Sequence, residues 1–403
     1  MGVTPARALL LENIHSDAAW NLKDAGWDVE RLDRALGEDE LVERLQGVHL
    51  LGVRSNTTVR ATTLEQAPDL LAIGAFCIGT NQIDLTTAAE RGIAVFNAPF
   101  SNTRSVVELA LSEIIALTRR LTVKDRDMHA GRWDKSAVGS HEVRGRRLGI
   151  VGYGNIGSQL SVVAESLGMR VIFYDVADKL ALGNARRCDT LDELLAEAET
   201  VSLHVDGRSG NAGLFGAAEF AKMRPRSLFL NLCRGIVVDH EALREHLVSG
   251  HLAGAAVDVF PQEPKRPGEE FVSELRGLRN VILTPHVGGS TEEAQQDIGN
   301  FVAGKLRDYA RSGSTALSVN LPHVALPRTP GTERLLLVHT NTPGVLATVN
   351  GLLADHGLNV EGQLLSTRGG LGYVVTDVSP PGDTDVLDAL RALPETVRLE
   401  VLL

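Results

Sequence analysis

Cysteine is nearly absent from this chain: Cys77, Cys188 and Cys233 are the only three in 403 residues. An odd, widely spaced set with no paired spacing argues against a disulfide scaffold and against a cysteine metal site. No run of about 18 apolar residues occurs, so no membrane-spanning helix is predicted. Ahead of residue 20 there are only four consecutive apolar residues, 8–11, between Arg7 and Glu12. A secretory core needs about 7–15, so none is readable and the cytoplasm is the expected compartment. Low-complexity tracts and long repeats are missing as well. Cations are in the minority, with 40 Lys+Arg against 51 Asp+Glu and a net charge of −11. A field of that sign repels polyanions, which argues against nucleic acid or an anionic membrane as bulk partners. It leaves room for a small anion held by a local cluster of Arg and Lys.

What is present is ordinary globular usage, 43% apolar and 23% charged, which excludes a disordered or collagen-like chain. At roughly 150 residues per domain, this length predicts two to three domains. Short apolar runs recur at 8–11, 49–53, 70–74 and 93–96, separated by helix-like stretches such as 39–45 and 85–91. That alternation predicts buried parallel strands in an α/β layer fold. One long helical pattern follows over 101–132, with Val106, Leu109, Ala110, Ile114 and Leu117 on its buried face. Six further strands are predicted at 147–152, 170–174, 200–204, 227–232, 254–257 and 280–284, as a doubly wound dinucleotide domain requires. Another helix runs from 291 to about 311. Pro322, Pro327 and Pro330 then mark a linker, because prolines at that density continue neither a helix nor a central strand. The last seventy residues read as β-α-β-β-α-β, a ferredoxin-like α+β order: strand 334–339, helix 344–356, strands near 360–367 and 372–378, helix 383–393, strand 396–402.

The sharpest local signal is Leu148-Gly149-Ile150-Val151-Gly152-Tyr153-Gly154-Asn155-Ile156-Gly157, an apolar strand running into G-x-G-x-x-G. Alone such a loop is a weak indicator. Here it closes a strand and opens a helix, and Asp175 ends the next strand 18 residues after Gly157, near the spacing of about 20 expected for a carboxylate that accepts from an adenosine ribose. Gly152, Gly154 and Gly157 let the backbone approach a pyrophosphate, and the helix start at Asn155 and Ile156 supplies unpaired N–H groups. Asp175 repels a 2′-phosphate, so the expected cofactor is NAD rather than NADP.

Three polar residues stand past later strands: Arg234 after 228–233, Glu263 after 256–262, and His286 after 281–285. Ligands of doubly wound sheets bind at the strand C-termini. An imidazole with an ordinary pKa near 6.5 suits a base that takes a hydroxyl proton while hydride leaves carbon. A carboxylate on its other nitrogen fixes the tautomer, and a guanidinium grips an α-carboxylate bidentately. Blander readings stand beside this one. His286 following Pro285 also fits a capped loop residue, Arg234-Gly235 a strand-end turn, and Glu263 an acidic surface loop.

Taken together, several stretches resemble the D-isomer-specific 2-hydroxy acid dehydrogenases, and within them the D-3-phosphoglycerate dehydrogenases in their short bacterial form. They are Phe76-Cys77-Ile78-Gly79-Thr80-Asn81-Gln82, the run 96–106, the glycine loop, Leu232-Cys233-Arg234-Gly235, Val257-Asp258-Val259-Phe260-Pro261-Gln262-Glu263-Pro264, and Thr284-Pro285-His286-Val287-Gly288-Gly289-Ser290-Thr291. The resemblance covers nearly the whole chain and implies that Arg234 binds substrate, Glu263 supports the histidine, and His286 is the acid/base. It further implies that Cys233 and Asp258 lie against the cofactor, Asp258 near the nicotinamide carboxamide. The implied architecture is a Rossmann-type NAD domain (101–287) inserted in a discontinuous flavodoxin-like substrate domain (1–100 and 288–325), followed by a regulatory ACT domain (333–403).

By the same resemblance the substrate is 3-phosphoglycerate, with Arg54, Asn56, Asn102 and Lys135 as contacts. Lys135 would be offered across a subunit interface into which Trp133 packs, in a homo-oligomer expected to be a tetramer. Trp133 also reads simply as a core residue of its own subunit. Asn56 departs from the family, which often has a second Arg there, and so leaves open another D-2-hydroxy acid or reduction of 2-oxoglutarate. The segment His339-Thr340-Asn341-Thr342-Pro343-Gly344-Val345-Leu346 resembles an ACT motif, implying that His339 and Asn341 of one chain and Asn359 of another bind L-serine as feedback inhibitor of serine biosynthesis. All three also read as turn-capping residues. A rival from another class is a NAD-sensing binding protein of the same fold that keeps the site without turnover.

Overall fold

The computed structural model describes residues 6–264, 268–380, 382 and 384–402. The described chain divides into two compact units, one formed by 102–294 and the other by the residues on either side of it. In the flanking unit the first sheet comprises β1 (Arg7–Leu10), β2 (Asp28–Arg31), β3 (Leu50–Val53), β4 (Ala72–Ala75) and β5 (Ala94–Phe96). Their order is β2-β1-β3-β4-β5 and every pairing is parallel, the flavodoxin-like arrangement. Leu9, Leu51 and Ile73 are buried on one face and Leu10, Leu50 and Ala72 on the other. Helices cover both faces, which is why these strands read as continuous apolar runs. β2 escaped the sequence reading because it is an edge strand in which Val29 alone is buried.

The inserted unit holds β6 (Arg147–Val151), β7 (Arg170–Tyr174), β8 (Arg186–Arg187), β9 (Thr200–Leu203), β10 (Ser227–Asn231), β11 (Leu252–Val257) and β12 (Val281–Leu283). The order β12-β11-β10-β9-β6-β7-β8 is parallel throughout and reverses direction at β6/β9, the switch point of a Rossmann-type sheet. Seven strands replace the six expected. The extra one, β8, is two exposed arginines at the edge, without the apolar content that marks a strand. The helical pattern over 101–132 is also corrected. One helix spans Thr103–Arg119, Arg120 turns left-handed at φ 54°, and a second helix runs Leu121–His129. Apolar spacing continues across the break, and no Gly or Pro announces it.

The last sheet comprises β13 (Glu333–Thr340), β14 (Asn359–Arg368), β15 (Leu371–Ser379) and β16 (Thr396–Leu402), antiparallel in the order β14-β15-β13-β16. With helices Val345–Asp355 and Thr384–Arg391 this is the ferredoxin-like order expected. Asp383, the expected first residue of the last helix, lies outside the described residues. This sheet belongs to the same compact unit as the first. Arg334 is completely buried and makes a bidentate pair with Asp377 at 2.6 and 2.7 Å. Its remaining donors go to the carbonyls of Ser312, Leu326 and Pro327. A buried charge with every donor used is tolerable, and here it ties the proline-rich linker to β13 and β15.

Candidate active site

β6 ends in the glycine loop. Gly152 has φ 93°, and a Cβ there would lie 2.6 Å from the His204 carbonyl. A Cβ at Gly157 would collide with the Gly152 carbonyl, so the helix can start this close to the strand only without a side chain. The helix Asn155–Ser166 opens at Gly154 with no side chain capping its first N–H groups, and a Cβ at Gly154 would meet open space. Free donors, a positive helix end and room beside them are what a pyrophosphate requires, so these residues fit a dinucleotide. Asp175 follows β7. Its two oxygens accept from the N–H groups of Tyr153 and Ala177, both at 2.8 Å. That fixes the carboxylate beside the loop while lone pairs remain for ribose hydroxyls. Asp175→Asn is expected to lower the preference for NAD over NADP, measured as the ratio of kcat/KM values, at least tenfold, since one repelling charge is removed. An unchanged ratio would place the selectivity elsewhere.

The ends of β10, β11 and β12 are chained by backbone bonds. Asp258 N–H donates to the Asn231 carbonyl at 3.0 Å, and His286 N–H to the Asp258 carbonyl at 2.8 Å. Three adjacent strand ends therefore hold the expected constellation in one row. The buried Asn231 organises the first: its Oδ1 accepts from Cys233 N–H and Sγ–H, and its Nδ2 donates to the Arg234 carbonyl. The sequence reading missed it, although an Asn inside Leu228-Phe229-Leu230-Asn231-Leu232 needs buried partners and so signals itself. Burial pushes the Cys233 thiol up to about 11, so it stays a neutral thiol.

His286 Nδ1 lies 2.8 Å from Glu263 Oε2, and Glu263 Oε1 accepts from Phe260 N–H at 3.0 Å. The bond to Glu263 raises the imidazole above its ordinary pKa against an opposing effect of burial. Partial burial acts to raise the Glu263 carboxyl, and the bonds from His286 and Phe260 N–H outweigh it, leaving it below the usual carboxylate range. The charge of Arg234 acts on both groups. His286 itself sits at φ 54°, a left-handed backbone rare for such a residue and common at functional sites.

That strained turn is held by Asp258. Buried to 1% exposure, its carboxylate accepts from Thr284 Oγ1–H at 2.6 Å and from the N–H groups of Val287 and Gly288 at 2.8 Å. The hydrogen bonds of the Asp258 carboxylate thus serve the loop that carries His286. Asn102, before the helix Thr103–Arg119, packs against Gly289 of that loop, and its buried Oδ1 has no partner.

Arg54 and Asn56 lie in the loop after β3, in the flanking unit. Glu12, nearly fully buried, accepts from the N–H groups of Arg54, Asn56 and Thr57 at 2.8–3.1 Å and so builds that loop. Only a lone acid after an apolar run hinted at Glu12. Asn56 is exposed. Lys135 is exposed in an irregular stretch, its Nζ 5.9 Å from the ring centre of Trp133, which is itself 73% exposed. His339 is buried on β13 with Nε2 unpartnered, Asn341 donates to the Gly369 carbonyl, and Asn359 opens β14 with its amide on Glu361. Within one chain His339 pairs with Gly372 and Asn359 with Ser379, so they stand at opposite ends of the sheet. Among the described residues no acidic, His or Cys group forms a metal-type cluster, and no helix is long and apolar enough to cross a membrane.

Residues 111–288 match the family of D-isomer specific 2-hydroxyacid dehydrogenases in its NAD binding domain, and residues 335–398 match the AHAS small subunit-like ACT domain. Over 395 residues the chain is 50% identical to the D-3-phosphoglycerate dehydrogenase of Haemophilus influenzae, covering 98% of this chain and 96% of that one. It is 48% identical to the D-3-phosphoglycerate dehydrogenase of Escherichia coli, covering 98% and 97%. Among solved structures, the TT0316 protein of Thermus thermophilus is similar, with a TM-score of 0.66 at 30% identity over 74% of this chain and 94% of that one.

Proposed function

The chain belongs to the D-isomer-specific 2-hydroxyacid dehydrogenases, as an NAD-dependent enzyme with an ACT domain, and from that premise we propose that it oxidises D-3-phosphoglycerate to 3-phosphohydroxypyruvate in the first step of L-serine biosynthesis. The observation that carries the chemistry is the 2.8 Å contact between His286 Nδ1 and Glu263 in the row that also holds Arg234. With Nδ1–H donated to Glu263, Nε2 keeps its lone pair and takes the proton of the C2 hydroxyl. Bound NAD would supply the acceptor for the C2 hydride, so that the alcohol, losing two electrons and two hydrogens, would become a ketone. Arg234 holds the α-carboxylate and polarises the developing carbonyl, while Arg54 and Lys135 meet the phosphate. Gly152, Gly154, Asn155, Ile156, Gly157 and Asp175 would hold the cofactor, and Cys233 and Asp258 would lie against it.

A steady-state assay with 3-phosphoglycerate and NAD tests this reading. NADH is expected to form, and no turnover of any 2-hydroxy or 2-oxo acid would favour a NAD-sensing binding protein instead. The exposed, uncharged Asn56 supports a second reading, a broader enzyme that also reduces 2-oxoglutarate; comparable kcat/KM for phosphorylated and unphosphorylated acids would select it.

The oligomer proposed is a homotetramer in the cytoplasm. The exposed Trp133 supports a subunit contact, and the exposed edge strand β14 supports side-by-side pairing of ACT domains. L-serine is the proposed effector, held by His339 and Asn341 of one chain and Asn359 of the other; the buried, unpartnered Nε2 of His339 supports this. L-serine is expected to inhibit, and His339→Ala or Asn359→Ala to relieve the inhibition at least tenfold in the concentration required. Equal sensitivity of both variants would remove the effector assignment.

A further inference from the structure

The cofactor loop uses the C-terminal edge of the seven-stranded sheet. At its N-terminal edge lies a cavity of about 130 Å³ that the chemistry above does not use. Arg146 stands immediately before β6, Arg226 before β10 and Asn280 before β12, while Thr118 and Arg120 come from the end of the helix Thr103–Arg119 and His141 from the following loop. Three arginines and a histidine line this one small space in a chain of net charge −11, Arg226 and His141 being exposed. Arg146 is paired, its Nη2 lying 3.5 Å from Glu199, and the charge of Arg120 acts on the exposed Asp134. Among the described residues neither Arg120 nor Arg226 enters an ion pair; each reaches only a backbone carbonyl, of Val138 and Gly250.

The backbone adds a second observation. Arg120, Arg226 and Asn280 have φ values of 54°, 66° and 54°, a region where glycine costs least and a branched or long residue is strained. Three of the seven such non-glycine residues in the described chain line this one cavity. A third observation concerns unused polar atoms. Arg146 Nε is buried with no partner, and so is Oδ1 of Asn280, a residue only 4% exposed whose Nδ2 is fixed on the Ala253 carbonyl at 2.9 Å. Forked cationic donors beside one unused acceptor match an oxyanion that carries both negative oxygens and a hydroxyl. A cavity of this size holds several waters or one tetrahedral anion.

We propose that this cavity is a phosphate-type oxyanion site, taking inorganic phosphate or the phosphoryl group of a small ester. Arg120 and Arg226 supply the charge, and Asn280 Oδ1 accepts from the anion's hydroxyl. The test follows phosphate binding to the full-length, NADH-saturated protein by calorimetry and phosphorus NMR at constant ionic strength. Arg120→Gly and Arg226→Gly are the informative variants, because glycine suits the left-handed backbone at both positions and leaves the thermal midpoint roughly unchanged. One phosphate is expected to bind per chain, at least tenfold weaker in each variant and unaltered in Arg54→Ala. Glycerol 2-phosphate competing for the same site would identify a phosphoryl ester as an occupant, and its exclusion would identify the free anion. Equal phosphate affinity in wild type and both glycine variants, or loss confined to Arg54→Ala, would overturn the proposal.

Discussion

His286→Ala lowers turnover by about two to four orders of magnitude, the usual worth of a positioned general base, while NADH binding survives. The two effects are expected to separate because the proposed dinucleotide loop follows β6 and the proposed base stands past β12, with β9, β10 and β11 between them in the sheet. His286→Asn is the better control for folding, since Asn tolerates the left-handed φ of 54° that this position requires. Glu263→Gln keeps the shape of the pair and removes its charge. The bond to Glu263 is the largest influence raising the imidazole, so its loss lets Nε2 shed its proton at lower pH. The acidic limb of the oxidation profile therefore moves to lower pH in Glu263→Gln. NADH fluorescence titration and pH profiles of kcat/KM check both outcomes; retained turnover in His286→Asn would show that the base lies elsewhere.

How much of this was legible beforehand depended on which forces left a mark in the sequence. The parallel strands were readable because burial on both faces demands continuous apolar residues, as in Leu228-Phe229-Leu230. β2 and β8 were not, since an edge strand is held by backbone bonds that any side chain permits. The break at Arg120 was invisible for a related reason: side-chain spacing is blind to one residue reversing its φ. At the site, the motifs identified residues by type and position past each strand, but the contact between Glu263 and His286 arises only in the folded chain. Glu12, Asn231 and the bonds of Asp258 to its neighbouring loop went unread because most of their partners are backbone groups, which every residue owns. Side-chain identity advertises charge and hydrophobicity; it does not advertise which loop a carboxylate will hold together.

Glu113→Gln stabilises the protein, and the gain grows with pH. Glu113 lies on the buried face of the helix Thr103–Arg119, 3% exposed, with both carboxyl oxygens unpartnered. That helix packs on the helix Asn155–Ser166 and on β10, β11 and β12, and the charge that acts on Glu113 from these neighbours is that of Asp258. Burial above all, then repulsion from Asp258, pushes its pKa up to about 8. Below pH 4.5 the group is neutral folded or unfolded, and no linkage arises. Between 4.5 and about 8 the unfolded chain releases a proton that the native chain retains, so native stability falls by about 1.4 kcal/mol per pH unit. By pH 7 the cost reaches roughly 3 kcal/mol, and above pH 8 it levels off near 5 kcal/mol. Gln has nearly the same shape and no proton to lose, so it escapes this cost, although its amide inherits the lack of partners. Denaturant unfolding at pH 5, 7 and 9 should show wild type and Glu113→Gln close together at the first and progressively apart thereafter. A constant offset across that range would mean that Glu113 carries the same charge in both states, and that the carboxyl beneath Asp258 is paired after all.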